Sequence, residues 1–324
     1  MYEESEFIFP SLPAEVVVET DLMVEMETRT LAVFHLGLFL LWYGSAGVGK
    51  TTTIQWMVRR INFAYKATNP NAFKAVILET GRVKAGWGNE AKRVIRSLYR
   101  AIAGIPIDEG LYGRQTAEEL ADLVVGIAQR RCIRLIFIDE AGRLSLDAID
   151  GLILVSNKAR ELKFPISFVL VGMDDLPQKI ESRPQSRRRF ADWCHFQHYS
   201  LEETVDLLAA LHPHFDALDL DNRKDLEQIK FVHEISGGLP GFIIPFVARF
   251  NAQYEIAEEA IDIVFLRGIH LASLQEKKII RAQAKRNGLM KLAESDLAAE
   301  DGKKTGKKTT STTRVKDDET QIEN

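Results

Sequence analysis

Eight consecutive residues, "GSAGVGKT" from Gly44 to Thr51, have the types and spacing that can hold phosphate. They fit the pattern G-x-x-x-x-G-K-[ST]. The glycines let the backbone curl so that successive N–H groups face inward, the lysine adds a positive charge, and the threonine offers a hydroxyl to a metal ion. The stretch follows an apolar run and opens a segment of helical period, so the positive end of a helix adds to its attraction for anions. Gly44, Ser45, Ala46, Gly47, Val48, Gly49, Lys50, Thr51 and Thr52 are therefore expected to cradle the phosphates of a nucleotide, with Lys50 on the β- and γ-phosphates.

A second stretch, "LIFIDEAGRL" from Leu135 to Leu144, carries four apolar residues into two adjacent carboxylates. At the end of a buried strand Asp139 can hold Mg2+ together with Thr51, while Glu140 can orient and deprotonate an attacking water. A third stretch, "SFVLVGMDDLPQKIESRPQSRRRF", ends a further apolar strand in Met173, Asp174 and Asp175 and then places Arg183, Arg187, Arg188 and Arg189 in a cluster. Phosphoryl transfer piles negative charge on oxygens that lysine and metal do not fully cover, and an arginine from a neighbouring subunit is one remedy. A basic surface helix has the same composition, so both uses of the cluster stay open.

These groups need a sheet to bring them together, and the chain supplies one. From Leu36 onward short apolar runs alternate with segments of helical period, the pattern of an α/β fold with a parallel sheet. The expected strands are "GLFLLWY", "KAVILET", "IRLIFID" and "ISFVLVG", with a weaker "CHFQHYS" after them. Helices are expected near Asp21–Phe34, Thr51–Asn62, Glu90–Ala103, Thr116–Arg130 and Ser145–Leu162. After Ser200 the texture turns wholly helical. The expected division is an N-terminal arm and helix over 1–35, an α/β nucleotide-binding domain over 36–199, a small helical lid over 200–286, and a disordered tail over 287–324, polar and empty of core residues. A net charge of −4 and 46% hydrophobic residues suit a globular protein and do not announce a nucleic-acid binder, although a local basic surface can sit on an acidic protein. Two distant cysteines suit free thiols in a reducing, cytoplasmic setting. The acidic start is unlike an export signal, and the apolar run before the glycine loop is too short to span a bilayer, so no membrane partner is expected.

Taken in order, the glycine loop, "IDEA", the polar strand end, the arginine group and the helical lid resemble the AAA+ ATPases. Within them, "FVLVGMDDLPQKIESRPQSRRRF" is similar to the TniB/TnsC group of transposition regulators. The resemblance implies an ATP- and Mg2+-dependent ATPase that forms rings or filaments on duplex DNA, links a target-site selector to a transposase, and is reset by hydrolysis. It assigns the trans-acting arginine to Arg189, with Arg188 as the fallback, and lets Asp174 or Asp175 stand where the family's first sensor usually lies. It also places the pore loop at "ETGRVKAGWGNEAKRVIRSLYR", where Arg82, Lys84, Lys92, Arg93 and Arg96 would follow the phosphate backbone of DNA. An ordinary solvated helix with a mobile loop has the same make-up. The lid reads "SGGLPGFIIPF", with Pro240 and Gly241 where a second-sensor arginine is usual. A STAND-type nucleotide switch and a helicase-loader or initiator-like ATPase are the alternatives. The histidines of "WCHFQHYS" and "LHPHF" lack the recurring close spacing of a metal site.

Overall fold

A computed structural model describes residues 17–64, 73–80, 89–104, 115–254 and 261–278. Five parallel strands form one sheet: β1 (Phe39–Tyr43), β2 (Lys74–Glu79), β3 (Ile133–Asp139), β4 (Ser167–Gly172) and β5 (Phe190–His195), in the order β2-β3-β4-β1-β5. Strands β3 and β4 are buried nearly throughout, which is why they read as continuous apolar runs rather than alternating ones. Helices cover both faces. On one side α1 (Asp21–Val33) and α2 (Lys50–Ala64) flank a core of Trp42, Met57, Phe137 and Val171. On the other, α3 (Glu90–Ala103), α4 (Ala117–Arg131) and α5 (Leu146–Glu161) enclose Leu41, Leu98, Val124, Ile136 and Leu152.

Local sequence sets the helix starts. Thr116 and Glu119 form a reciprocal capping box at α4, and Ser200 with Glu203 does the same at α8 (Leu201–Leu211). Two short helices, α6 (Leu176–Glu181) and α7 (Pro184–Arg187), connect β4 to β5. After α8 come α9 (Pro213–Asp216), α10 (Arg223–Ser236) and α11 (Pro240–Tyr254), all helical and lying within the stretch expected to form the lid.

The chain gathers into two compact units, Met1–Ile263 and Val264–Asn324. A last described helix, α12, covers residues 263–278. Among the described residues no helix is long and apolar enough to cross a membrane.

Two elements differ from the sequence expectation. The fifth strand is "FADWCH" rather than "CHFQHYS". Phe190 pairs with Phe39 and His195 with Tyr43, so residues 197–200 lie beyond the strand. On this outer strand Asp192 and Trp193 interrupt the apolar run, and that interruption hid its start. Where the sequence after Ser200 reads as wholly helical, Pro213 interrupts it by forcing His212 into an extended conformation at φ −156°, so α8 and α9 are separate.

Candidate nucleotide-binding site

The parallel register brings all five strand ends to one edge: Tyr43 lies beside Gly172 and His195, and Glu79 beside Asp139. That carboxyl edge, where the strand order reverses around β1, is where open α/β sheets bind ligands. The loop Gly44–Gly49 leaves β1 there and enters α2. Gly47 at φ 83° and Gly49 at φ 97° hold left-handed backbone that a side chain would penalise. Lys50 folds back over the loop, its Nζ donating to the carbonyls of Gly44 and Ser45 at 2.7 Å each. Burial keeps the Lys50 ammonium below the ordinary lysine pKa, while the charges of Asp174 and Asp139 pull the other way.

Thr51 and Asp139 meet directly. The Thr51 hydroxyl donates to Asp139 Oδ2 at 2.9 Å, and the backbone N–H of Glu140 donates to Asp139 Oδ1 at 2.9 Å. A hydroxyl and a buried carboxylate side by side form the all-oxygen donor set that suits Mg2+, so the residues present fit that ion. Glu140 follows in left-handed backbone at φ 54°, an unfavourable conformation for a residue with a Cβ. Its surroundings fix it there. Thr80 donates its hydroxyl to the Glu140 carbonyl at 2.9 Å, the Arg143 N–H donates to the same carbonyl at 3.0 Å, and the Arg143 guanidinium pairs with the Glu140 carboxylate at 2.9 Å. The carboxylate itself is half exposed, open to a water nucleophile.

Asp174 stands just past the end of β4, close enough to influence Lys50, and its carboxylate lies 3.5 Å from Nε2 of His195. The His195 ring stacks on Tyr43 with centroids 4.9 Å apart. The first turn of α11 meets the loop from the other side: the N–H of Gly241 donates to the Gly47 carbonyl at 2.9 Å. A methyl group at Gly241 would sit 2.8 Å from the Gly47 Cα, so this backbone approach tolerates only glycine.

The arginine cluster is at the far end of the sheet. Arg189 immediately precedes β5, and its carbonyl accepts from the N–H of Phe39 at the start of β1. One strand length, roughly 16 Å at about 3.3 Å per residue, separates it from the glycine loop of its own chain. Arg189 is half-buried near Arg160, whose guanidinium is held below its ordinary pKa first by burial and then by Arg189. Arg188 is exposed. Arg183 is committed locally to Asp150 and, at 3.5 Å, to Asp147, while Arg187 lies over the Trp193 ring. Lys92, Arg93 and Arg96 are half-buried on α3, and Arg82 and Lys84 fall outside the described residues.

Residues 35–180 match the family model of an AAA domain. The chain carries an AAA-type P-loop ATPase domain. The matched stretch holds the glycine loop, Asp139, Glu140 and Asp174. Among solved structures, the ORC2 protein of Aeropyrum pernix aligns with a TM-score of 0.57 at 17% identity, covering 80% of this chain and 69% of that one. The ORC1 protein of the same organism, solved in complex with DNA, gives 0.57 at 18% identity over 81% and 68%. Domain III of the Thermotoga maritima replication initiation protein DnaA gives 0.50 at 14% identity over 78% and 92%. At these identities the likeness is one of fold. No curated protein matches the chain in sequence.

Residues unmarked by any motif also turn out to belong to the AAA site. Thr80 and Arg143 fix Glu140, and His198 bonds both Ser45 of the loop and Gly237 of the lid. The signal for His198 was present but mute: it sits in a histidine-rich stretch that sequence can weigh only as a metal site. The histidines in fact serve separate contacts, with His212 and His214 packed among Phe215, Phe250 and Tyr254.

Proposed function

We propose that the chain is an ATP-hydrolysing AAA+ assembly factor of the initiator or helicase-loader kind, which self-associates with ATP on duplex DNA. One observation carries this reading. The loop, metal-binding pair and base lie at one edge of the sheet, and the candidate arginines Arg188 and Arg189 lie at the other, so a complete site needs two copies. The fold shared with initiators, one of them solved in complex with DNA, supports duplex DNA as the surface on which copies assemble. Lys50 and the loop N–H groups bind the triphosphate, and Glu140 takes the proton of the attacking water. Mg2+ at Thr51 and Asp139 would neutralise charge on the β- and γ-oxygens. Arg189 or Arg188 of the next copy would meet the charge that develops on the γ-phosphoryl group.

A transposition regulator of the TniB/TnsC kind is the second reading, with a transposase and a target selector as partners. It is favoured by "PQSRRRF", which forms α7 and the entry to β5 and so delivers the arginines to the free edge. Electron microscopy with ATP, with and without duplex DNA, tests what the two readings share. Nucleotide-dependent rings or filaments are expected, and monomers indifferent to both would overturn it. DNA-dependent recruitment of a helicase or of a transposase then separates them.

A further inference from the structure

Three hydrogen bonds tie the lid's hinge to the rest of the site. Gly241 N–H donates to Gly47 O, Tyr199 N–H donates to Gly238 O at 2.8 Å, and His198 Nδ1 lies 2.8 Å from Gly237 O. Of the three, only the last runs through a side chain, and that side chain continues to the glycine loop. His198 Nε2 is 2.9 Å from the Ser45 hydroxyl. The Gly237 carbonyl can only accept, so Nδ1 carries the ring hydrogen. Nε2 then accepts from Ser45, whose hydroxyl donates. One rigid ring thus links loop and lid in series.

Both of its ends are placed to transmit movement. The Ser45 carbonyl is one of the two groups that Lys50 grips, so a phosphate that draws Lys50 away breaks that bond and frees Ser45 to move. Gly237 ends α10 in left-handed conformation at φ 60° and, with Gly238 at φ 69°, makes the turn into α11. The first turn of α11 has no basic side chain to read the γ-phosphate by charge. We infer that His198 is the positioning residue through which the lid reads occupancy of the phosphate loop, a mechanical link where an arginine would otherwise act. The inference rests on the ATPase reading and deepens it.

The test uses the full chain with ATPγS and ADP as probes. It measures hydrogen exchange of the amides from Gly237 to Ile243, alongside equilibrium dialysis of labelled nucleotide. In the parent, ATPγS is expected to slow exchange there more than ADP does. His198→Phe fills the same space without either bond and should shrink that difference roughly five- to tenfold. His198→Gln offers a donor and an acceptor at nearly the spacing of the two ring nitrogens, and should restore most of it. The exposed neighbour Gln197→Ala should behave as the parent. Circular dichroism confirms that each variant is folded, and the glutamine variant separates lost bonding from lost packing. If His198→Phe binds nucleotide and its lid responds as the parent's does, the inference is wrong while the ATPase reading stands. If the parent itself binds no nucleotide, the ATPase reading fails first and the inference falls with it.

Discussion

At the scale of single residues, the candidate site separates groups whose placement is fixed by sequence spacing from groups that act through space. Glu140→Gln keeps the shape of the side chain and removes the base. ATP should still bind, while phosphate release slows about a hundredfold or more. A filter-binding assay beside a phosphate-release assay checks both halves, and parental turnover would remove Glu140 from that role. That Lys50, Thr51, Asp139 and Glu140 meet at one edge of the sheet was legible because a loop of fixed length or a strand end sets their positions. Thr80, Arg143 and His198 were not legible. They work on backbone carbonyls or on a loop hydroxyl brought near by the fold, and nothing in their local sequence marks that neighbour.

At the scale of elements, helices and strands meet at close quarters that can be tested one by one. A methyl group at Gly151 on α5 would lie 2.9 Å from the backbone of Ala91 on α3. Gly151→Ala should therefore cost about 1–3 kcal/mol in urea unfolding, as the two helices are forced apart. An ion pair anchors α1 to β5. Arg29 donates to both carboxylate oxygens of Asp192, at 2.7 and 2.6 Å, and this hydrogen bonding holds Asp192 below the ordinary carboxylate pKa. A depressed carboxylate stabilises the folded state above its unfolded pKa, and the benefit is lost as pH falls through the folded value. Arg29→Met should thus lose about 1 kcal/mol at pH 7, a figure already reduced for partial exposure, and the gap to the parent should close below roughly pH 4. Urea titrations at pH 7 and pH 3 measure it. The first four strands were legible because each is centred on a run of apolar residues, and β1, β3 and β4 are buried almost throughout. The fifth was misplaced because it has a solvated face, on which Asp192 is held by a helix more than a hundred residues earlier in the chain.

At the scale of the whole molecule, the separation of loop and arginines across the sheet predicts complementation between copies. On the proposed function, Lys50→Ala should abolish triphosphate binding and the double variant Arg188→Ala, Arg189→Ala should remove the charge offered to a neighbouring copy, so each alone should be inactive. Mixed, the first can serve the second, and turnover should reappear as a bell-shaped function of mixing ratio; a flat, inactive profile would mean that the arginines do not act between chains. The left-handed backbone of Glu140 also bears on the stability of the molecule. That conformation costs a residue with a side chain roughly 1–2 kcal/mol, whereas glycine there would give up only about 0.5–1 kcal/mol of chain entropy. Glu140→Gly should then melt at the parental temperature or about 1–2 °C above it, even after losing the exposed pair with Arg143, and should turn over no ATP. A drop of several degrees would mean instead that this backbone is relaxed. Catalysis and thermal robustness thus pull in opposite directions at one peptide unit, and selection for sturdiness alone would erase the base first.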